Sequence, residues 1–133
     1  MDPQIFWYAA AAILIFLFVR RTLRMRSLKQ YTPSAIEDRL KSKGDMLLLD
    51  VRTDAERQSG SIRGSLHIPL ASLRTRMKEL EQYRSREIVC YCASGSRSAS
   101  AALLLRKSGF NAGNLRGGPG EWNFAHRDAA SQP

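Results

Sequence analysis

A chain of 133 residues with an apolar run of fifteen near its start keeps about 100 for folding, which suits one core and leaves no room for a second catalytic domain. Its formal charge of +9 comes from 21 Lys and Arg against 12 Asp and Glu, and residues 1–30 alone carry +4 of it, through Arg20, Arg21, Arg24, Arg26 and Lys29 against Asp2. Charge gathered beside an apolar segment suits anionic lipid headgroups, and with no recognition motif accompanying it no nucleic acid is expected as a partner.

The apolar run, Ile5 to Val19, comes after Met-Asp-Pro-Gln and gives way at once to a cluster of arginines. A cleaved secretory signal has the opposite order, basic residues first and small residues at the exit. A core helix would show a polar face, and this one is apolar all round. A transmembrane helix over residues 5–19 is therefore expected, with membrane lipid as its partner. Fifteen residues span about 22 Å against a hydrocarbon core of ~30 Å, so Arg20 and Arg21 must snorkel or the bilayer must thin. Trp7 and Tyr8 sit where interfacial aromatics belong, and the five basic residues after Val19 point the C-terminal domain to the cytoplasm, with an in-plane interfacial helix and an uncleaved signal anchor facing outward as the open alternatives. The anchor, with a basic linker, takes up residues 1–30.

After the linker, Thr32-Pro33 starts a helix that should stop near Gly44. Met46 to Asp50 (MLLLD) and Glu87 to Cys92 (EIVCYC) read as buried strands. Between them, Ala71 to Tyr83 places Leu73, Met77 and Leu80 at helical spacing. A last helix runs from the loop after Cys92 to Gly109. Alternating strands and helices imply an α/β fold, a parallel sheet with helices on both faces, whose ligands bind beyond the carboxyl ends of the strands.

The two cysteines, Cys90 and Cys92, lie one residue apart on a strand, with Cα atoms about 6.5–7 Å apart, at or past the limit for a disulfide. This points to a reducing compartment. Cys90 lies in mid-strand and reads as core. Cys92 opens the segment Cys92-Ala93-Ser94-Gly95-Ser96-Arg97-Ser98, which leaves a strand, turns on glycine and enters a helix. Such a loop aims backbone N–H groups at an anion, and the helix dipole and Arg97 add positive charge. A thiol held there ionises readily, and the thiolate is the nucleophile.

This loop resembles that of the rhodanese family, Cys-x-x-Gly-x-Arg after an apolar strand. Asp50-Val51-Arg52 resembles the family's Asp-Val-Arg. Gly60-Ser61-Ile62-Arg63-Gly64-Ser65 with Ile68-Pro69 resembles its Gly-His-Ile-x-Gly-Ala and Ile-Pro elements, and Leu115-Arg116-Gly117-Gly118 with Trp122 its closing glycines and tryptophan. The similarity runs from about Ser34 to Phe124, so a rhodanese-like domain is expected over residues 31–126 and a flexible tail over 127–133. Ser61 and His67 depart from the family's usual histidine and asparagine.

The resemblance implies a sulfurtransferase. Cys92 would take the outer sulfur of a donor such as thiosulfate or a persulfide, and pass it to a thiophilic acceptor, cyanide or a thiol. Ala93, Ser94, Gly95, Ser96, Arg97 and Ser98 would bind the donor and the anionic persulfide. Asp50 and Arg52 would support the loop, more as an ion pair than as donor ligands. No metal or other cofactor is expected, since His67 and His126 have no cysteine at ligand spacing. A membrane protein partner would suit the tether. Two other readings stay open: a phosphatase or arsenate reductase, whose loop has one residue more between Cys and Arg, and a non-catalytic membrane-tethered binding module.

Overall fold

In the computed structural model residues 2–42, 44–120 and 122 are described; His126 and the tail expected over 127–133 lie outside them. The chain opens with helix α1 (Pro3–Arg26), whose 24 residues make about 36 Å at 1.5 Å per residue. It is long and apolar enough to cross a membrane, by length and composition. None of its residues is buried, and Phe6, Trp7, Tyr8, Phe16 and Phe18 are all more than half exposed. The helix continues past the apolar run through the arginines, and the segment expected to be a linker is ordered beyond it. Leu28 is buried in the core, and Gln30–Tyr31 form a strand, β1.

The remaining elements are α2 (Pro33–Ser42), β2 (Met46–Asp50), α3 (Asp54–Gln58), β3 (Leu66–His67), α4 (Leu70–Arg76), β4 (Glu87–Tyr91), α5 (Ser96–Lys107) and β5 (Ala112–Leu115). The five strands form one sheet in the order β1-β5-β4-β2-β3 with every pairing parallel. Strands β2 and β4 are buried along their whole length because both faces are covered. Alternation along each strand then divides the core. Leu47, Leu49, Ile88 and Cys90 face α4 and α5 through Leu73, Ala102 and Leu105, while Met46, Leu48, Val89 and Tyr91 face Ile36 of α2, Ile62 and the partly buried Trp122.

One expected helix divides in two. After α4 the chain tightens into a 3-10 helix over Met77–Tyr83. The apolar residues explain the change: Met77, Leu80 and Tyr83 recur every third position, the repeat of a three-residue turn, so the tighter winding turns all three toward the core. The central strand β4 ends at Tyr91, and Cys92 is the next residue, at the carboxyl edge of the sheet.

Candidate active site

Cys92 remains on the α5 side of the sheet, two residues beyond Cys90, and its side chain is fully buried. The chain then reverses within three residues. Gly95 makes this possible at φ +93°, in the left-handed region where a side chain would be strained, and caps the start of α5. The reversal turns the Gly95 N–H back onto the Cys92 sulfur at 3.0 Å, and the first turn of α5 adds the Ser98 N–H at 3.4 Å and the Ser98 hydroxyl at 3.3 Å. Burial alone would push this thiol up; the Ser98 hydroxyl and the N–H groups of Ser98, Ser94 and Gly95 outweigh it and hold the thiol below its ordinary value. Cys90 has burial without such donors and sits beside the charge of Cys92, so its thiol is pushed up. Both cysteines are free. Donors that favour the charged form surround Cys92, and none enters the shift at Cys90.

Behind Ser98 stands a residue with no signal in the sequence. The Ser98 hydroxyl donates to Asn114 Oδ1 on β5 at 2.5 Å, and Asn114 Nδ2 donates to Gln30 Oε1 at 2.9 Å and to the Gly95 carbonyl at 3.4 Å. Asn114 thus holds the middle of the loop and its far end. A serine has one proton to donate, so the Ser98 hydroxyl serves either Asn114 or a thiolate at any instant.

Arg97 is held by Glu56, a second residue the sequence did not single out. The pair is bidentate, at 2.6 and 2.8 Å, and joins positions 41 apart. Glu56 is fixed in turn by a capping box at the start of α3, where the Glu56 N–H donates to Thr53 Oγ1 and the Thr53 N–H to Glu56 Oε1. The Thr-x-x-Glu spacing was the one legible sign of it. The Arg97 guanidinium, with the Thr53 contacts, brings the Glu56 carboxyl to about 2.

The expected site residues therefore divide. Ser94, Gly95 and Ser98 converge on the sulfur, Arg97 is braced beside it by Glu56, and Ala93 and Ser96 lie exposed on the rim. Asp50 and Arg52 are paired with each other at the end of β2. Arg52 Nε donates to Asp50 Oδ1 at 3.0 Å and its Nη2 to Oδ2 at 2.8 Å and to the Gly60 carbonyl at 2.7 Å. Among the described residues none of their hydrogen bonds reaches the loop directly; Arg52 reaches the Glu56 carbonyl at 3.4 Å, one step from Arg97. His67 turns its ring to the Arg52 carbonyl at 2.8 Å. Gly118 lies so close that a Cβ there would fall 1.9 Å from the Cys92 carbonyl oxygen. A polar cleft of about 320 Å³ adjoins the loop, lined by Gln30, Ser94, Gly95, Asn114, Arg116 and Gly117.

Residues 32–125 match the profile of the rhodanese-like domain family. The chain belongs to this family. Among similar proteins, a sulfurtransferase of Allochromatium vinosum is 38% identical over 89 residues, covering 66% of this chain and 81% of that protein. The uncharacterized protein YqhL of Bacillus subtilis is 31% identical over 123 residues, covering 92% of this chain and 94% of its own, so that similarity reaches into α1. The crystal structure of a rhodanese-related protein from Thermoplasma volcanium superposes with a TM-score of 0.66 at 32% identity, over 73% of this chain and 92% of that one. The family and the similarity to a sulfurtransferase support sulfurtransferase activity as the general class for this chain.

Proposed function

We propose that this protein is a membrane-anchored enzyme that carries sulfane sulfur on Cys92, from an anionic donor such as thiosulfate or a persulfide to a thiol or cyanide. The observation that carries the reading is the sulfur itself, buried and met by two N–H groups and a hydroxyl at 3.0–3.4 Å. In the first step the Cys92 thiolate attacks the outer sulfur of thiosulfate; the donor's S–S bond breaks and its electron pair leaves with sulfite. In the second the acceptor attacks the outer sulfur of the Cys92 persulfide, and the pair returns to Cys92. The loop N–H groups stabilise the negative charge in both steps. Arg116, which lines the polar cleft, supplies a cation for the donor's oxygens.

Thiocyanate formed from thiosulfate and cyanide, measured against pH, tests the proposal. The active form is the thiolate, so the rate is lost as pH falls through the depressed thiol pKa. Ser98→Ala removes the hydroxyl that favours the charged form. Its profile is expected to shift to higher pH, with a loss of about tenfold near neutrality, the worth of one hydrogen bond to a charged group. An unshifted profile would remove Ser98 from the site, and hydrolysis of an aryl phosphate without turnover of any sulfane donor would overturn the reading as a whole.

The same proposal has α1 spanning the membrane with the catalytic domain on the cytoplasmic side, because five basic residues come after the apolar run and none precedes it. Protease added to inside-out vesicles is expected to digest the domain. Digestion only from the outer face would reverse the orientation.

A further inference from the structure

The last turns of α1 lie against α5. Arg106 Nη1 donates to the Ser27 carbonyl at 3.2 Å, Met25 packs on the core, and Leu28 is buried within it. Between the two helices runs a groove of about 550 Å³ whose walls include Arg20, Arg21 and Arg24 from α1 and Ser100, Leu103 and Lys107 from α5. Four cations from two separate elements thus face one space, and no acidic side chain lines it. Among the described residues none of the four has an ion-pair partner, although ten other basic side chains, counting the imidazole of His67, have carboxylate, carbonyl or ring partners. Uncompensated like charges held together in a groove create a field that an anion relieves.

Position decides which anion. Arg20 comes directly after Val19, so with the apolar run in the hydrocarbon the groove stands at headgroup depth, and Leu17 of that run forms part of its wall. We infer that the groove between α1 and α5 is a binding site for the phosphate of an anionic phospholipid from the membrane that holds α1. The inference rests on the reading of α1 as a membrane span. It differs from a general attraction of basic residues to lipid in one respect: half of the binding surface belongs to the catalytic domain. The lipid would clasp α5, whose first turn carries the N–H and hydroxyl of Ser98, and so set the active loop at a fixed height and angle to the bilayer.

The test compares two single variants of the full-length chain. Lys107→Gln removes a cation from the domain wall of the groove; Arg26→Gln removes one from the last turn of α1, outside it. Each protein is placed in nanodiscs of phosphatidylcholine with phosphatidylglycerol and released for native mass spectrometry, which reads the fraction still carrying each lipid. The wild type is expected to retain phosphatidylglycerol over phosphatidylcholine. Lys107→Gln should lose about fivefold of that preference, the factor expected of one basic contact to an anionic headgroup, and Arg26→Gln should keep it. Equal losses in both variants would show diffuse attraction and overturn the site. Inorganic phosphate that displaces phosphatidylglycerol at millimolar concentration would make the occupant a soluble anion and overturn the lipid assignment. A wild type recovered outside the discs would refute the membrane span itself, and the site with it.

Discussion

Gly118→Ala is expected to abolish sulfur transfer and to lower stability by about 2–6 kcal/mol, the sum of a left-handed backbone imposed on alanine and an overpacked contact. The residue sits at φ +54°, and an added Cβ would lie 1.9 Å from the Cys92 carbonyl oxygen, 3.0 Å from its carbonyl carbon and 3.3 Å from the Ala93 carbonyl oxygen. All three are backbone atoms at the root of the active loop. A flexible side chain could move aside, but here the chain carrying the nucleophile must shift, and the 3.0 Å contact of the Gly95 N–H with the sulfur shifts with it. Gly120→Ala is the control, since a Cβ there meets nothing within 4 Å. Thiosulfate turnover and a guanidinium unfolding midpoint measured on both variants check this. Wild-type values for Gly118→Ala would mean that the turn does not press on the loop.

Asp50→Ala is expected to cost about 3–5 kcal/mol, the usual penalty for leaving one member of a buried ion pair alone, out of a total stability of about 5–15 kcal/mol. Asp50 is wholly buried and Arg52 nearly so; the carboxylate also accepts from the Tyr91 hydroxyl at 3.1 Å, from the Arg52 N–H at 3.0 Å and from Arg57 at 3.4 Å. Its loss takes from two guanidiniums their only carboxylate among the described residues, leaving Arg52 with the Gly60 and Glu56 carbonyls and Arg57 with Ser65, and removes one acceptor from the buried Tyr91 hydroxyl. Activity should fall as well, because Arg52 holds the Glu56 carbonyl and Glu56 holds Arg97. Burial pushes the Asp50 carboxyl up, but its bonds to Arg52 outweigh that and leave it below its ordinary value of 3.8. The folded pKa is the lower one, so this stability is present above about pH 4 and drains away as pH falls through the folded value. Asp50→Ala should therefore be less stable at neutral pH and lose less on acidification. Parallel stability curves for the two proteins below pH 4 would contradict the assignment.

The part of the fold that could be read in advance was the part built on hydrophobic pattern. MLLLD and EIVCYC announced β2 and β4 because a strand covered on both faces must be apolar throughout. Three strands left no such trace: β1 and β3 have two residues each, and β5 is Ala-Gly-Asn-Leu, poor in strand formers and held in place by its neighbours β1 and β4. Pairing between distant segments is a tertiary fact that local propensity does not carry. The site divides in the same way. Cys92 and its loop are contiguous and were legible as such. Glu56 and Asn114 act across 41 and 16 positions, through Arg97 and Ser98, and only the fold brings them there. The end of α1 shows the converse: arginines read as linker continue the helix, since they are good helix formers whose charges suit a helix C-terminus.

The most direct test of the central claim is the intact mass of the full-length protein after incubation with thiosulfate and removal of the excess. The wild type is expected to gain one sulfur, about 32 Da, to lose it on addition of cyanide, and to show no gain as Cys92→Ala. A gain that persists in Cys92→Ala, or no gain in the wild type with thiosulfate or any persulfide donor, would contradict the claim that Cys92 carries the sulfur.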